Sequence, residues 1–532
     1  MNAAHEVVLV NLPMGTRWQS RGGPELIAEN MGLGYLAASL RSAGRQAGIV
    51  DAIAEGLTAG AVLDRVVASQ PRLVGLAIFQ TTRLDVLAFC RALKQAVPDV
   101  RIILGGQLAR LAAASLLALR EIDLLCTGEG ERPIREVVAA LDGGGFESIP
   151  GIAWKQDGEI RMNPDAPPTS DLDALPWPAR DTLPAVLARG GVARVVSSRG
   201  CNFRCAFCSV HRFLGPSQAR WRTRGVDSVV AELEHLRAQF HIDSVAFNED
   251  NFFGSSQAGY ARAEQMAQAL IRQRWDLKFA IACRADDVAE DRFRLLREAG
   301  LVAVEIGIES GAPSALKRWA KGTSPQENYR ALETLDRLGI AVNPGFIMFD
   351  AHTTPGEMEQ NLEFLRRCTV FRRIFYKIEL RFAQKMIPYI GTAIRERYAE
   401  ERLLHSGDLL SEAYDDYTFV DPRIEAACRV MQRWERASSP VRWLCWNLAL
   451  DRTDPERGAR ALPLIEELAH LTFRLYEAEV EAAGQPVFPW DVEAASPWPG
   501  RFDGELTELA RKALQLHNQQ AQPDLVHAAA SV

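Results

Sequence analysis

Ser198-Arg-Gly-Cys-Asn-Phe-Arg-Cys-Ala-Phe-Cys-Ser209 contains three cysteines within eight residues, and it directly follows a short apolar segment typical of a β-strand. Thiolates are soft ligands that favour iron–sulfur clusters, zinc or copper(I). A structural zinc site usually has four ligands, whereas three cysteines on a four-iron cube leave one iron open to another molecule. We therefore predict that Cys201, Cys205 and Cys208 bind a cluster. A zinc site completed by His211 is the alternative.

The region around this stretch alternates strands with helical patterns. The strand candidates are Arg194–Ser197, Ser244–Phe247, Phe279–Ala282, Ala303–Ile308, Val342–Phe349 and Phe375–Phe382. Six such units predict a partial, TIM-like (β/α)6 barrel, and barrels of this kind carry their chemistry on the loops at the carboxyl ends of the strands. The cysteines occupy the first of these loops.

The first 145 residues contain a separate alternating series. Its apolar runs are Val7–Val10, Ala47–Val50, Leu73–Ile78, Arg101–Leu104 and Ile122–Cys126, with helical patterns between them. This order predicts an α/β fold, a doubly wound, Rossmann-like domain that binds ligands beyond the carboxyl ends of its parallel strands. No GxGxxG fingerprint follows the first strand, which argues against a nicotinamide cofactor.

We expect four regions along the chain. Residues 1–150 form the Rossmann-like domain, and residues 151–190 form a hairpin with an Asp157-Gly turn and a proline-rich linker. Residues 191–395 form the partial barrel. Residues 396–532 form a mostly helical C-terminal domain with a frayed tail.

Composition narrows the class of protein. The formal net charge of −7 gives no reason to expect a nucleic-acid partner. No apolar run approaches the roughly 18–20 residues of a membrane span, and the N-terminus lacks the pattern of a secretion signal. We therefore expect a cytoplasmic protein, in which nine cysteines serve as buried thiols, metal ligands or catalytic groups rather than disulfides.

Arg199-Gly-Cys-Asn-Phe-Arg-Cys-Ala-Phe-Cys208 resembles the signature of the radical S-adenosylmethionine (SAM) superfamily, and the likeness extends over about residues 190–395. The resemblance implies that the three cysteines hold a 4Fe–4S cluster whose fourth iron binds SAM. One electron then cleaves SAM to a 5′-deoxyadenosyl radical. The resemblance also implies a set of SAM-binding residues: Phe207, Asn248, Glu249, Asp250, Arg284, Glu309, Ser310 and Ile347.

The first domain resembles the cobalamin-binding domain that precedes many radical SAM enzymes. The likeness rests on Met31-Gly-Leu-Gly-Tyr-Leu-Ala-Ala-Ser-Leu40, Leu73-Val-Gly-Leu76, Leu104-Gly-Gly-Gln107 and Cys126-Thr-Gly-Glu-Gly-Glu131. It implies that cobalamin contacts the loops after the strands, at Asn11, Asp51, Gln80, Thr81, Thr82, Gly105, Gly106, Gln107, Gly128 and Glu129.

One feature departs from the cobalamin domains that hold cobalt with a histidine. Residues 51–60 contain no histidine, so this loop supplies none to cobalt, and Gln80 is our candidate for the lower face of the corrin. A methylthiotransferase would carry a second cluster on three cysteines of its leading domain. Here that domain has only Cys90 and Cys126, which argues against this alternative.

Together the resemblances imply a cobalamin-dependent radical SAM methyltransferase that methylates an unactivated carbon with methylcobalamin. A flavodoxin or ferredoxin-type donor would supply electrons, and the substrate would be a small molecule or a peptide. Tyr376, Glu379 and Arg381 share one face of the last predicted barrel strand, and we predict that they contact substrate. Cyclisation, ring contraction or oxidation without methyl transfer is the competing activity. A non-catalytic cobalamin or redox sensor is a further alternative.

Overall fold

The structure is a computed structural model that describes residues 5–13, 27–213, 221–368, 383–450, 455–484 and 502–518. The predicted strand at 375–382, with Tyr376, Glu379 and Arg381, lies outside the described residues. The described residues form two compact units. The first contains residues 5–13, 27–213, 221–304 and 387–416, and the second contains the others. The domain boundaries that we expect at 150, 190 and 395 stay predictions.

A seven-stranded sheet forms the centre of the first series. Its strands are β1 (Val7–Asn11), β2 (Ala47–Asp51), β3 (Leu73–Ala77), β4 (Arg101–Gly105), β5 (Leu124–Cys126), β6 (Ile152–Gln156) and β7 (Glu159–Met162). They lie in the order β2-β1-β3-β4-β5-β6-β7, with parallel pairing from β2 to β5 and antiparallel pairing beyond. This arrangement confirms the predicted doubly wound α/β fold.

Helices connect these parallel strands and follow the hairpin. They are α1 (Met31–Ser42), α2 (Ala52–Glu55), α3 (Ala59–Ser69), α4 (Arg83–Ala96), α5 (Gln107–Leu111), α6 (Ala113–Leu117), α7 (Glu131–Ala140) and α8 (Leu183–Ala188). The central strands are buried on both faces, which explains why they read as continuous apolar runs in the sequence. The hairpin turn has positive φ at Asp157 and Gly158, as an Asp-Gly turn of this type requires.

The second series forms a five-stranded sheet and a two-stranded ribbon. The strands of the larger sheet are β8 (Ala193–Val195), β11 (Ser244–Phe247), β12 (Lys278–Arg284), β13 (Leu301–Glu309) and β14 (Ala341–Phe346), in the order β14-β13-β12-β11-β8. The ribbon pairs β9 (Ser198–Arg199) with β10 (Arg222–Thr223). Its first strand ends two residues before Cys201, so the ribbon fixes the entry to the cysteine loop.

The helices of this series are α9 (Val210–Phe213), α10 (Val226–Phe240), α11 (Gln257–Gln273), α12 (Glu290–Glu298), α13 (Pro313–Arg318), α14 (Pro325–Arg337) and α15 (Pro355–Arg367). Two of them begin with a capping box: Ser324 and Glu327 satisfy each other's backbone N–H groups at α14, and Thr354 and Glu357 do so at α15. A proline follows each capping residue, where its fixed φ suits the first helical turn.

The remaining helices are α16 (Ala393–Glu400), α17 (Pro422–Leu450), α18 (Pro455–Gly484) and α19 (Asp503–Asn518). Short 3-10 turns cover Leu172–Ala174, Ala285–Asp287 and Glu412–Asp415. None of the helices in the described part of the chain is both long enough and apolar enough to span a bilayer.

Candidate functional site

The first unit contains a cavity of about 980 Å³ at the carboxyl ends of β1, β3 and β4. Its wall includes residues that we predicted for two different ligands. The predicted SAM-binding residues among them are Phe207, Asn248, Glu249 and Asp250, and the predicted cobalamin-binding residues are Asn11, Thr81, Gly105, Gly106, Gln107, Gly128 and Glu129. Cys208 also lines the cavity. Residues of the two sequence motifs therefore line the same cavity.

The three cysteines come from one loop that follows β8 and β9 and precedes β10. Cys205 is buried, and Cys201 and Cys208 are partly buried. Burial raises the pKa of the Cys201 thiol and raises that of Cys208 to about 12. No three His, Cys, Asp or Glu side chains within the described part of the chain converge tightly enough to hold one metal ion. A four-iron cluster binds each cysteine through a different iron, so three spaced thiols suit it.

Arg284 lies beside the cysteine loop at the end of β12. Its guanidinium carbon is 3.5 Å from the centre of the Phe203 ring, and Nη1 is 3.7 Å from the Cys205 Sγ. Its Nε also donates to Asp286 at 2.8 Å. Arg284 is not among the residues that line the cavity, so its pairing with the SAM carboxylate stays a prediction.

Two carboxylates after β11 hold the segment that enters the cysteine loop. One oxygen of Glu249 accepts from the Ser197 N–H at 2.8 Å, and the other accepts from the Ser198 hydroxyl. Asp250 accepts from the Gly200 N–H at 3.2 Å. Burial raises the pKa of both carboxyl groups. Glu249 and Asp250 therefore position the cysteine loop and line the cavity at the same time.

The loop after β4 has the features of a close ligand contact. Gly106 has a φ of 94°, and a Cβ there would lie 3.1 Å from the Ile78 carbonyl oxygen, so only glycine fits. The Gln107 side chain lines the cavity and is only 7% exposed, yet its Nε2 has no hydrogen-bond partner among the described residues. A buried amide donor of this kind is costly unless a ligand accepts from it. Cobalamin, which carries several amide side chains, suits this donor.

Asp51 and Thr82 were predicted for cobalamin, and the structure places both outside the cavity lining. Asp51 is fully buried and caps α2, with its carboxylate accepting from Asn11 Nδ2 at 2.7 Å and from backbone N–H groups. The Thr82 hydroxyl accepts from the Phe79 N–H at 3.2 Å. Both side chains shape the loops rather than face the cavity.

Gln80, our candidate for the lower face of the corrin, also lies outside the lining and is fully buried. Its Nε2 donates to Asp415 Oδ1 at 2.7 Å and to the Pro388 carbonyl at 3.2 Å. Its Oε1 accepts from the Ile390 N–H at 2.7 Å. Both ends of the amide are therefore engaged by residues 388–415.

Glu129 lines the cavity, but two arginines bind its carboxylate. Arg222 contacts it at 2.8 and 3.0 Å and Arg199 at 3.2 Å. Arg199 also donates to Glu131 at 2.6 Å and lies 4.9 Å above the Tyr35 ring. Burial opposes ionisation of Glu129, but the hydrogen bond and charge of Arg222 and the charge of Arg199 outweigh it and lower its pKa. The loop after β5 is thereby bonded to both strands of the ribbon that flanks the cysteines.

We expect that Glu129→Gln will lower the free energy of unfolding near neutral pH, by an amount that shrinks in acid. The folded-state pKa lies below the ordinary value of 4.5, so this carboxylate contributes stability above about pH 4.5 that disappears as pH falls through the folded pKa. Urea unfolding of both proteins at several pH values measures the difference. A difference that is the same at pH 7 and pH 3 would contradict this account.

Three predicted SAM-binding residues belong to the second unit. Glu309 ends β13 with a φ of 64°, a strained conformation for this residue type, and its carboxylate pairs with Lys321 at 3.0 Å. The Glu309 carbonyl accepts from the Ile347 N–H at 2.7 Å. Ser310 is fully buried, and its hydroxyl donates to Asn361 Oδ1 at 2.7 Å. Their contact with SAM stays a prediction.

Sequence reasoning missed several residues of the cavity wall. Phe79 is 44% exposed although it directly follows a buried strand, and it lines the cavity. Glu29 lines the cavity as well and pairs with Arg180 at 2.8 Å. Tyr389 comes from a distant part of the chain. The local signal that could have identified Phe79 is its position, because it is an aromatic residue directly after the apolar run Leu73–Ile78.

Comparison with known proteins agrees with this geometry. Residues 195–365 match the family model of the Radical SAM superfamily, and residues 23–138 match the B12 binding domain. An uncharacterised methyltransferase of Pyrococcus horikoshii is 29% identical over 401 residues, which cover 74% of this chain and 82% of that protein. The 4′-phospho-dehydrooxetanocin synthase of Priestia megaterium is 29% identical over 266 residues, 46% of this chain and 35% of that protein.

Among solved structures, the chain is similar to OxsB, a cobalamin-dependent SAM radical enzyme determined with aqua-cobalamin and SAM bound. The TM-score is 0.76 at 20% identity, with 98% of this chain and 80% of that chain covered. At this identity the likeness concerns the fold, and it extends over nearly the whole chain.

Proposed function

We propose, from the premise that this chain is a cobalamin-dependent radical SAM enzyme with a 4Fe–4S cluster, SAM and cobalamin as its cofactors, that it methylates an unactivated carbon of its substrate. The observation that carries the proposal is the shared cavity, whose wall contains Cys208 together with Gly106 and Gln107. A methyl donor and a radical source that act on one carbon both need to reach it, and a shared cavity allows this.

The cysteine loop and the carboxylates that hold it have distinct roles in this proposal. Cys201, Cys205 and Cys208 would hold the cluster. Glu249 and Asp250 fix the loop that carries the cysteines through the Ser197 and Gly200 N–H groups. When bound, the cluster with SAM supplies a hydrogen-abstracting radical and cobalamin supplies a methyl group.

The corrinoid side of the cavity is a backbone surface. Gly105 and Gly106 would let a large ligand approach the end of β4, and the Gln107 Nε2 would donate to it. Most of the cavity lining is apolar.

Product analysis tests the proposal. The anaerobically reconstituted enzyme, with reductant, SAM and methylcobalamin, should release S-adenosylhomocysteine and 5′-deoxyadenosine, with a product heavier than the substrate by one CH₂. Candidate substrates come from screening small molecules and peptides by mass spectrometry. Methyl-labelled SAM provides the control, because the label should appear in the product.

The second candidate activity is radical chemistry without methyl transfer. The similarity to the 4′-phospho-dehydrooxetanocin synthase supports this candidate. That activity predicts 5′-deoxyadenosine without S-adenosylhomocysteine and a product that gains no methyl label. The two outcomes are mutually exclusive for a given substrate.

A further inference from the structure

Gln80 lies between two residues that face the cavity, although it does not face the cavity itself. Phe79 and Thr81 both line the wall, whereas the Gln80 side chain turns away into the protein and is fully buried. The residues that it contacts, Pro388 and Ile390, flank Tyr389 on either side. Tyr389 lines the cavity. The two segments therefore have complementary patterns. Phe79 and Thr81 face the cavity on either side of Gln80, whereas Tyr389 faces it between the two residues that bind Gln80.

A buried polar network holds this arrangement. Asp415 accepts from Gln80 at 2.7 Å and pairs with Arg83 at 2.7 Å, and Arg83 is only 1% exposed. Arg83 also donates to the Leu409 and Ser411 carbonyls, each at 2.7 Å. Buried groups that are fully paired in this way define a single conformation for the segments that they join.

The segment that carries Tyr389 is anchored to the cysteine loop as well. The Ile394 N–H donates to the Ala206 carbonyl at 3.1 Å, and Ala206 lies between Cys205 and Phe207. The Tyr389 carbonyl accepts from the Thr392 hydroxyl at 2.6 Å. Tyr389 is thus held from both ends, by the loop after β3 and by the loop that carries the cysteines.

We propose that Tyr389 contacts the corrinoid and that Gln80 is the positioning residue that holds it there. This reassigns Gln80 from a candidate ligand to a support for a residue of the opposite segment. The inference rests on the proposed function only in placing a corrinoid in the cavity, and it concerns binding, whichever reaction follows. An aromatic ring offers a large, rigid contact surface to such a planar ligand.

Titration of the full-length, cofactor-free protein with hydroxocobalamin, followed by absorbance, tests the proposal. Tyr389→Ala should weaken binding about tenfold, whereas Tyr389→Phe should stay within about threefold, because the ring surface is retained. Gln80→Ala should also weaken binding about tenfold. In the double variant Gln80→Ala should add little, because the two residues act through one contact. Tyr329→Ala, a partly exposed tyrosine of the second unit, is the control and should bind normally.

Two results would overturn the proposal. Unchanged hydroxocobalamin binding by Tyr389→Ala would show that Tyr389 does not contact the corrinoid. If Gln80→Ala weakens binding equally in the wild-type and Tyr389→Ala backgrounds, Gln80 does not act by positioning Tyr389. If the Gln80 variants do not fold, the comparison of Tyr389→Ala with Tyr389→Phe decides the contact alone. Failure of the proposed function is distinguishable, because it would change product masses and leave these affinities intact.

Discussion

Replacing Cys205 with alanine is expected to abolish formation of 5′-deoxyadenosine, with a loss of at least about 100-fold, because one of three cluster ligands is removed from a buried position. Cys201→Ala and Cys208→Ala should behave alike, since each cysteine serves a different iron. Iron and sulfide content after anaerobic reconstitution should fall in parallel with activity.

The same variants should separate the cluster from the corrinoid. Cys201 and Cys205 do not line the cavity, so their alanine variants should still bind hydroxocobalamin with nearly normal affinity. Cys90→Ala is the matched control: it removes a buried thiol that lies outside both the cysteine loop and the cavity lining, and it should retain iron and activity. A wild-type protein that carries zinc, or a Cys205→Ala variant with a full complement of iron, would contradict the cluster assignment.

Replacing Arg180 with alanine is expected to lower the free energy of unfolding by about 3–5 kcal/mol, the usual cost of removing one partner from a buried ion pair. The Arg180 guanidinium bonds to Glu29 and Glu232, each at 2.8 Å. The exposed fractions of the three side chains are 8%, 4% and 1%. Glu232 keeps Arg224 as a partner, whereas Glu29 would retain a buried charge without its main counter-ion.

The destabilisation should also depend on pH. Burial already raises the pKa of Glu29 although Arg180 opposes it, and loss of Arg180 raises that pKa further. Glu29 then takes up a proton more readily as pH falls, so the effect of Arg180→Ala should be smaller at pH 5 than at pH 7.5.

Urea unfolding followed by circular dichroism measures this effect, with Arg41→Ala as control. Arg41 pairs with Asp181, the neighbour of Arg180 in the chain, but both side chains of this pair are 38% exposed, so loss of the pair should cost below about 1 kcal/mol. Equal destabilisation by Arg180→Ala and Arg41→Ala would show that burial of the Arg180 ion pairs does not increase the cost of losing them.

The sequence alone predicts most of the secondary structure, because buried strands and amphipathic helices leave local periodic patterns. The predicted strand at Ser244–Phe247 coincides with the observed β11, and the predicted run Leu73–Ile78 contains β3. The predicted loops after β4 and β11 also contribute Gly106, Gln107 and Glu249 to one cavity. Topology explains this success, since the carboxyl ends of parallel strands meet at one edge.

Interactions between distant segments could not be predicted from the sequence. The Gln80–Ile390 bond spans 310 positions and the Glu129–Arg222 bond spans 93, and neither leaves a periodic signal. Gln80 and Glu129 both follow strands, as cofactor-binding residues do, so local reasoning assigned them to the ligand. Each side chain also bonds to internal partners, and Glu129 lines the cavity as well. Their contact with cobalamin stays a prediction. The ribbon of β9 and β10 was missed for a related reason, because two-residue strands are too short to show alternation.

The return of residues 387–416 to the first unit limits how this protein can exchange parts with its relatives. Leu409 and Tyr414 belong to the apolar core beneath the seven-stranded sheet, and Ile390 packs against it. A genetic crossover near position 150 that moved only the leading segment would expose this core to water. Arg83 would also lose its carbonyl acceptors, Leu409 and Ser411. Productive recombination would have to carry both stretches together, although they lie far apart in the sequence.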